Sequence, residues 1–197
     1  MSELSGMVAI VTGSSSGIGE RTAQRLAELG AHVVVNSASS VEAGEKLAAS
    51  LPNGAIYIQA DISDKAQCEK LINGTIAKFG KLDLLVNNAG WTTLVPHGDL
   101  EALTDEIFER TFEVNVFGTW QLTKMAMPHL LKSEDGNVVN ITSVAGVRPM
   151  GSSIAYSMTK AALNQMTRLM AKSHGPVRHN AVAPGLVETP WTKDWAT

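Results

Sequence analysis

The chain has 197 residues, 44% of them hydrophobic and 18% charged, with a net charge of −3 and one cysteine. That fits one globular domain, or one large domain cut short, and supplies no basic stripe for a nucleic-acid backbone and no apolar run longer than a strand to cross a membrane. A lone Cys68 excludes an intrachain disulfide and points to the reducing cytoplasm.

Residues 1–4 lack the basic and apolar regions of a secretion signal. Residues 7–12 are an expected first strand, and residues 17–29 a helix closed by Gly30. A second strand is expected over 32–36 and a second helix over 41–51. A third strand covers 55–59, and a helix over 64–79 ends at Gly80. Strand 82–87 follows, then one long helix over 104–131, for which Thr104 and Asp105 offer the cap. Strand 137–142, helix 155–173 and strand 177–183 complete the alternation. Cys68 falls in an amphipathic stretch and reads as a packing residue. Continuously apolar strands between helices imply a doubly wound α/β fold with a parallel sheet covered on both faces. Ligands of such sheets bind at the carboxyl ends of the strands.

The turn Thr12-Gly13-Ser14-Ser15-Ser16-Gly17-Ile18-Gly19 joins the first strand to the first helix. Glycine there allows positive φ and close approach to a pyrophosphate, which the helix amino terminus attracts. Strand before and helix after make it a nucleotide-binding turn lined by Gly13, Ser15, Ser16, Gly17, Ile18 and Gly19. The second strand ends in Asn36-Ser37-Ala38-Ser39-Ser40, where the adenosine ribose belongs. No carboxylate is present to bind a ribose 2′-hydroxyl, and no arginine to grip a 2′-phosphate. The serine hydroxyls and backbone N–H groups can hold a phosphate, so NADP(H) is preferred over NAD(H). The same serines can instead cap the next helix. Asp61-Ile62 follows the third strand and Asn87-Asn88-Ala89-Gly90 the fourth, both at carboxyl ends. Asp61 either accepts from an adenine amino group or caps the helix that begins near Asp64. Small Ala89 and Gly90 leave room for a cofactor beside Asn88.

Tyr156 and Lys160 stand four residues apart, on one helix face, with Ser143 upstream at the end of the fifth strand. A phenol titrates near pH 10 in water, and a fixed cation beside it favours the phenolate. Asn115 is a poor helix former in the middle of the long helix. The histidines His32, His97, His129, His174 and His179 show no metal-ligand spacing and read as surface or loop residues.

Together, Thr12-Gly13-x3-Gly17-Ile18-Gly19, Asp61, Asn87-Asn88-Ala89-Gly90, Asn115, Ser143, Tyr156-x3-Lys160 and Pro184-Gly185 resemble the short-chain dehydrogenase/reductase family in order and spacing. The resemblance covers essentially the whole chain. It implies a Rossmann fold over residues 1–197 and hydride exchange between NAD(P) and a small-molecule carbonyl or secondary alcohol. By the same resemblance Tyr156 is the general acid/base, Ser143 holds the substrate oxygen, and Lys160 lowers the Tyr156 pKa and binds the nicotinamide ribose. Asn115 would hold a water in a proton relay. After Pro184 and Gly185, the Val187 backbone and Thr189 hydroxyl would meet the nicotinamide carboxamide. Family members continue through a substrate-covering segment and a seventh strand, so this chain reads as truncated, lacking its C-terminal strand. Within the class, a 3-oxoacyl-acyl-carrier reductase and a sugar or polyol dehydrogenase stay open. Outside it, a non-catalytic dinucleotide-binding regulator is the alternative. The family also implies a homodimer or homotetramer through the two long helices, with Trp120, Met125, Met127 and Met166 as candidate interface residues.

Overall fold

Alternate residues of the first strand serve opposite faces: Ile10 enters one core, Ala9 and Val11 the other. The computed structural model describes residues 3–193. Its strands are β1 (Val8–Val11), β2 (His32–Ser37), β3 (Ile56–Gln59), β4 (Leu84–Asn87), β5 (Asn137–Ile141) and β6 (Arg178–Val182). Its helices are α1 (Gly17–Glu28), α2 (Val41–Ser50), α3 (Lys65–Phe79), α4 (Asp105–Phe112), α5 (Thr119–Leu130) and α6 (Ile154–Ser173). The strands form one sheet in the order β3-β2-β1-β4-β5-β6, every pair parallel. The chain winds outward from β1 to β3, then returns to β4 on the other side of β1. That reversal opens a crevice at the carboxyl ends of β1 and β4, where a doubly wound sheet takes its ligand.

One face buries Leu71 and Ile72 of α3, Leu122 and Leu130 of α5 and Met170 of α6 against Ile10, Leu85 and Val138. The other packs Ala23 and Ala27 of α1 and Leu47 of α2 on Val11, Val33 and Val35. Each fully buried aliphatic side chain of this kind stabilises the fold by about 1.5–3 kcal/mol relative to exposure. Cys68 is buried as expected, and burial pushes its thiol up to about 11, which removes any thiolate reactivity at neutral pH.

Three expectations change. The long helix over 104–131 is not uniform: Glu113–Gly118 widens into a π-helical turn between α4 and α5. Gly118 there lies against the Ile62 carbonyl, where a Cβ would come within 2.7 Å. Met127 is core rather than interface, and Met125 and Met166 pack against the same core. Trp120 alone of the four is exposed, at 43%, and the exposed apolar residues Phe117 and Leu169 were not anticipated. His179 is a strand residue, 6% exposed, and neither of its ring nitrogens has a partner. Burial lowers its pKa below the ordinary histidine value, helped by nearby His174, so it stays neutral.

Among the described residues, no helix is long and apolar enough to cross a membrane. No group of three or more His, Cys, Asp or Glu residues gathers there as a metal site.

Candidate active site

A cavity of about 710 Å³ runs along the carboxyl edge of the sheet, from the glycine turn to Tyr156 and Lys160. That is within the usual ~300–1,000 Å³ of a small-molecule or cofactor site. Gly13, Ser15, Ser16, Gly17, Ile18, Ala38, Asp61, Ile62, Asn88, Ala89, Gly90, Pro184, Gly185, Val187 and Thr189 all line it, as does the edge of Asn36 and Ser37. Ser39 is exposed on the turn beyond them.

The glycine turn is held from below. Thr12 Oγ1 accepts from the Asn88 and Ala89 amides at 3.0 Å each, and Asn88 Nδ2 donates to the Thr12 and Gly13 carbonyls at 2.9 and 3.0 Å. Gly13 has φ +60°, and a Cβ there would lie 2.8 Å from the Ala89 Cα. At Gly19 a Cβ would lie 2.5 Å from the Gly13 carbonyl oxygen. The turn therefore presses directly on β4 and its loop, and the start of α1 lies in the cavity wall. This fits a pyrophosphate held by backbone and helix dipole.

Asn36 is almost fully enclosed, and its amide donates to the Ile58 and Ala60 carbonyls at 3.1 and 3.0 Å. It ties β2 to β3 and shapes the floor of the cavity. The Ser37 hydroxyl lies 2.8 Å from the Tyr57 hydroxyl. Ser40 stands at the N-cap of α2 without a side-chain cap bond, so that serine does not cap α2 through its hydroxyl.

The two readings of Asp61 resolve in one respect. Asp64, not Asp61, caps α3, accepting from the Ala66 and Gln67 amides. Asp61 instead accepts from the Ser63 amide and hydroxyl at 2.9 and 2.7 Å and from Arg110 Nη2 at 3.1 Å. Burial raises its pKa, but the Ser63 bonds and Arg110 outweigh that and hold it below the usual carboxylate value. Arg110, on α4 and in the cavity wall, was not anticipated from the sequence. It also pairs with Glu113 three residues on, at 2.7 Å, but its cavity partner Asp61 lies 49 residues away, which no local pattern marks.

At the other end, Ser153 caps α6 by accepting from the Tyr156 amide at 3.1 Å, which sets the phenol at the first turn of that helix. Lys160, 3% exposed, donates to the Ile141 carbonyl at 2.9 Å, and its Nζ lies 5.4 Å from the centre of the Tyr156 ring. Burial alone lowers its pKa to about 8. Burial also raises the Tyr156 pKa, only partly offset by hydrogen bonding with the Ser143 hydroxyl. The lowering of the phenol expected from the lysine is thus not what the protein by itself produces. Desolvation of a buried phenol wins over the single hydrogen bond.

Asn115 is enclosed in the π-turn, a feature that recurs at functional sites. Its Oδ1 accepts from the Trp91 amide at 2.7 Å, and its Nδ2 donates to the Trp91 carbonyl at 2.9 Å and to Thr159 Oγ1 at 3.1 Å. Both N–H donors and one oxygen lone pair of the side-chain amide pin the Trp91 loop to α6. Thr192, also unanticipated, closes the far wall: its hydroxyl donates to the Val187 carbonyl at 2.7 Å and accepts from the Thr189 amide at 3.0 Å. This brings Thr189 against Gly17, where a Cβ would lie 3.4 Å from it.

A family profile described as short chain dehydrogenase matches residues 7–197. The chain belongs to the short-chain dehydrogenase family. The dehydrogenase is 55% identical over 188 residues to a protein of Streptomyces violaceoruber described as ketoacyl reductase 2 of the granaticin polyketide synthase, covering 95% of this chain and 75% of that one. It is 36% identical to the L-fucose dehydrogenase of Mus musculus, covering 98% of this chain and 69% of the other. A crystal structure of the 3-ketoacyl-(acyl-carrier-protein) reductase of Brucella melitensis with NADH superposes with a TM-score of 0.91 at 32% identity, covering 97% of this chain and 80% of that one. The dehydrogenase is therefore an oxidoreductase that works with a nicotinamide cofactor.

Proposed function

We propose that the protein reduces a ketone to a secondary alcohol, with Tyr156 as the proton donor. The observation that carries this reading is the joining of the glycine turn and the Ser143, Tyr156 and Lys160 cluster by one continuous cavity. A nicotinamide cofactor held along the glycine turn would supply the hydride for the carbonyl carbon. Ser143 donates a hydrogen bond to the carbonyl oxygen and holds it beside the phenol. Tyr156 gives its proton to that oxygen as negative charge develops there, and solvent later restores the proton. The raised phenol pKa keeps Tyr156 protonated at neutral pH, the state reduction requires. Lys160, fixed on the Ile141 carbonyl, places its charge near the ring and stabilises the phenolate that results. Asn115 pins the Trp91 loop to α6 and would seat the water of a proton relay beside Lys160.

NADP(H) is the preferred cofactor, since no carboxylate stands at the end of β2 to repel a 2′-phosphate. NAD(H) remains usable, since no arginine stands there to demand a 2′-phosphate. The Asp61 carboxylate, held by Arg110, faces the adenine end of the cavity. A ketoacyl chain is favoured over a sugar by the higher identity to the polyketide ketoacyl reductase. Exposed Phe117 of the π-turn, Trp120 of α5 and Leu169 of α6 favour a homodimer or homotetramer. The unbridged, buried Cys68 suits the cytoplasm. One domain spans residues 1–197.

The test is consumption of NADPH and NADH over a panel of ketones, with the product identified by NMR. Alcohol formed in stoichiometric amount with oxidised cofactor supports the reading. A protein that binds the cofactor tightly yet turns over no carbonyl is instead the non-catalytic regulator.

A further inference from the structure

The cavity beyond Tyr156 differs in composition from the part over the glycine turn. Its described walls are Trp91, Leu94, Met150, Leu186 and Trp191. Leu94 and Leu186 are 60% and 69% exposed, apolar area that a ligand would cover. Trp191 stands edge-on to the Tyr156 ring, with centroids 6.3 Å apart and planes at 69°. Charged lining residues lie elsewhere: Asp61 and Arg110 pair with one another, and Lys160 sits beneath the phenol on the Ile141 carbonyl.

The polar groups at this end are already engaged. The Ser152 hydroxyl lies 2.7 Å from that of Thr92, and Thr142 Oγ1 donates to the Val182 carbonyl at 3.2 Å. Among the described residues, Ser143 and Tyr156 are the hydroxyls placed to meet a ligand's oxygen. A polyol or sugar entering here would give up water at several hydroxyls and meet mostly apolar described wall. Among the described lining residues, a carboxylate here would meet no cation but Lys160, which is held on the Ile141 carbonyl. A planar ring system, by contrast, gains contact with two indoles and three aliphatic or thioether side chains.

We infer that the substrate is a neutral ketone borne on a bulky, ring-containing apolar body, and that Trp191 and Met150 select it. This rests on the reading of the cavity as a ketone-reducing site. It separates the protein from sugar and polyol dehydrogenation, and makes the apolar rim the determinant of specificity rather than passive surface.

The experiment compares kcat/KM of the full chain for 2-tetralone, dihydroxyacetone and levulinate, which share a ketone and differ in body and charge. 2-Tetralone is expected to exceed each of the others by at least about tenfold, a difference of ~1.4 kcal/mol in transition-state binding. Trp191→Ala should raise the KM for 2-tetralone about tenfold. Met150→Arg should shift the levulinate to 2-tetralone ratio at least about tenfold towards levulinate, with an unchanged melting temperature. Equal efficiency on dihydroxyacetone, or an unmoved KM for 2-tetralone in Trp191→Ala, would overturn the inference. If no ketone oxidises the cofactor, the functional reading fails separately. The inference is then decided by calorimetric binding of the same three ligands to the cofactor-loaded protein, where 2-tetralone must still bind best.

Discussion

The two ends of the cavity are built on different principles. At the nucleotide end the side chains are clamps. Thr12, Ser14, Asn36 and Asn88 bond to main-chain groups of neighbouring strands and turns, and the surface offered to a ligand is backbone. At the catalytic end the ligand-facing groups are side chains, sunk in low dielectric with few partners. Lys160 has one hydrogen bond, to Ile141, and burial moves both it and Tyr156 from their ordinary proton affinities. The first design makes the shape of the turn the function. The second makes proton affinity the function, at a cost in stability. Substitutions should therefore separate: those over the glycine turn change binding and folding, those around Tyr156 change chemistry.

The largest expected effect breaks the chemistry alone. Tyr156→Phe removes only the phenolic hydroxyl, so kcat should fall by the ~10²–10⁴ of a lost general acid while cofactor affinity holds. Steady-state kinetics beside cofactor titration measures both, and near-normal turnover would remove Tyr156 from the mechanism. Gly19→Ala should do the reverse. Its Cβ would meet the Gly13 carbonyl oxygen and the Asn88 amide at 2.5 Å each, so the turn must shift. We expect a loss of roughly 1–3 kcal/mol in stability from overpacking, with weakened cofactor binding. A variant that melts and binds like the wild type would show that the turn is looser than these contacts imply.

Lys160→Met probes the cost of the catalytic end. In the folded protein the lysine pKa is lowered to about 8, against about 10.4 in an unfolded chain. Below pH 8 the ammonium is charged in both states, and its burial penalty is paid in full. Between pH 8 and 10.4 the unfolded state binds more protons, so stability rises with pH. The variant should be more stable than the wild type at pH 7 by on the order of 1–3 kcal/mol, and the gap should close towards pH 10.5. Urea denaturation at the two pH values checks the sign. A gap that widens with pH would contradict the direction.

The smallest effect concerns cofactor choice. Ser37→Asp places a carboxylate at the end of β2, where the Tyr57 hydroxyl can still donate to it. The ratio of kcat/KM for NADPH over NADH should fall by about tenfold, or ~1.4 kcal/mol. A wild type that already prefers NADH tenfold would defeat the assignment of NADP(H).

Much of the site was legible because its signals are local. The glycine turn needs only a strand before it and a helix behind it. Tyr156 and Lys160 share a face because any helix puts i and i+4 side by side. The alternation of apolar strands and amphipathic helices pointed to a doubly wound parallel sheet, since strands apolar on both faces need cover on both.

What the tertiary structure alone decided involves partners far apart in sequence or the balance of burial. Asp61 could be read as an adenine ligand or a cap until folding brought Arg110 to it and left the cap to Asp64. Met127 and Trp120 are both large apolar side chains on one helix, and only packing sends the first inward and leaves the second exposed. Asn115 was readable as a disturbance of its helix. That the disturbance is a π-turn aimed at Trp91 and Thr159 follows from contacts 24 and 44 residues away. The proton affinity of Tyr156 reversed direction because sequence shows the neighbouring cation but not the water removed from the phenol. Spacing along a helix is set by backbone geometry, which the sequence carries with it. Desolvation and long-range pairing exist only once the chain has closed on itself.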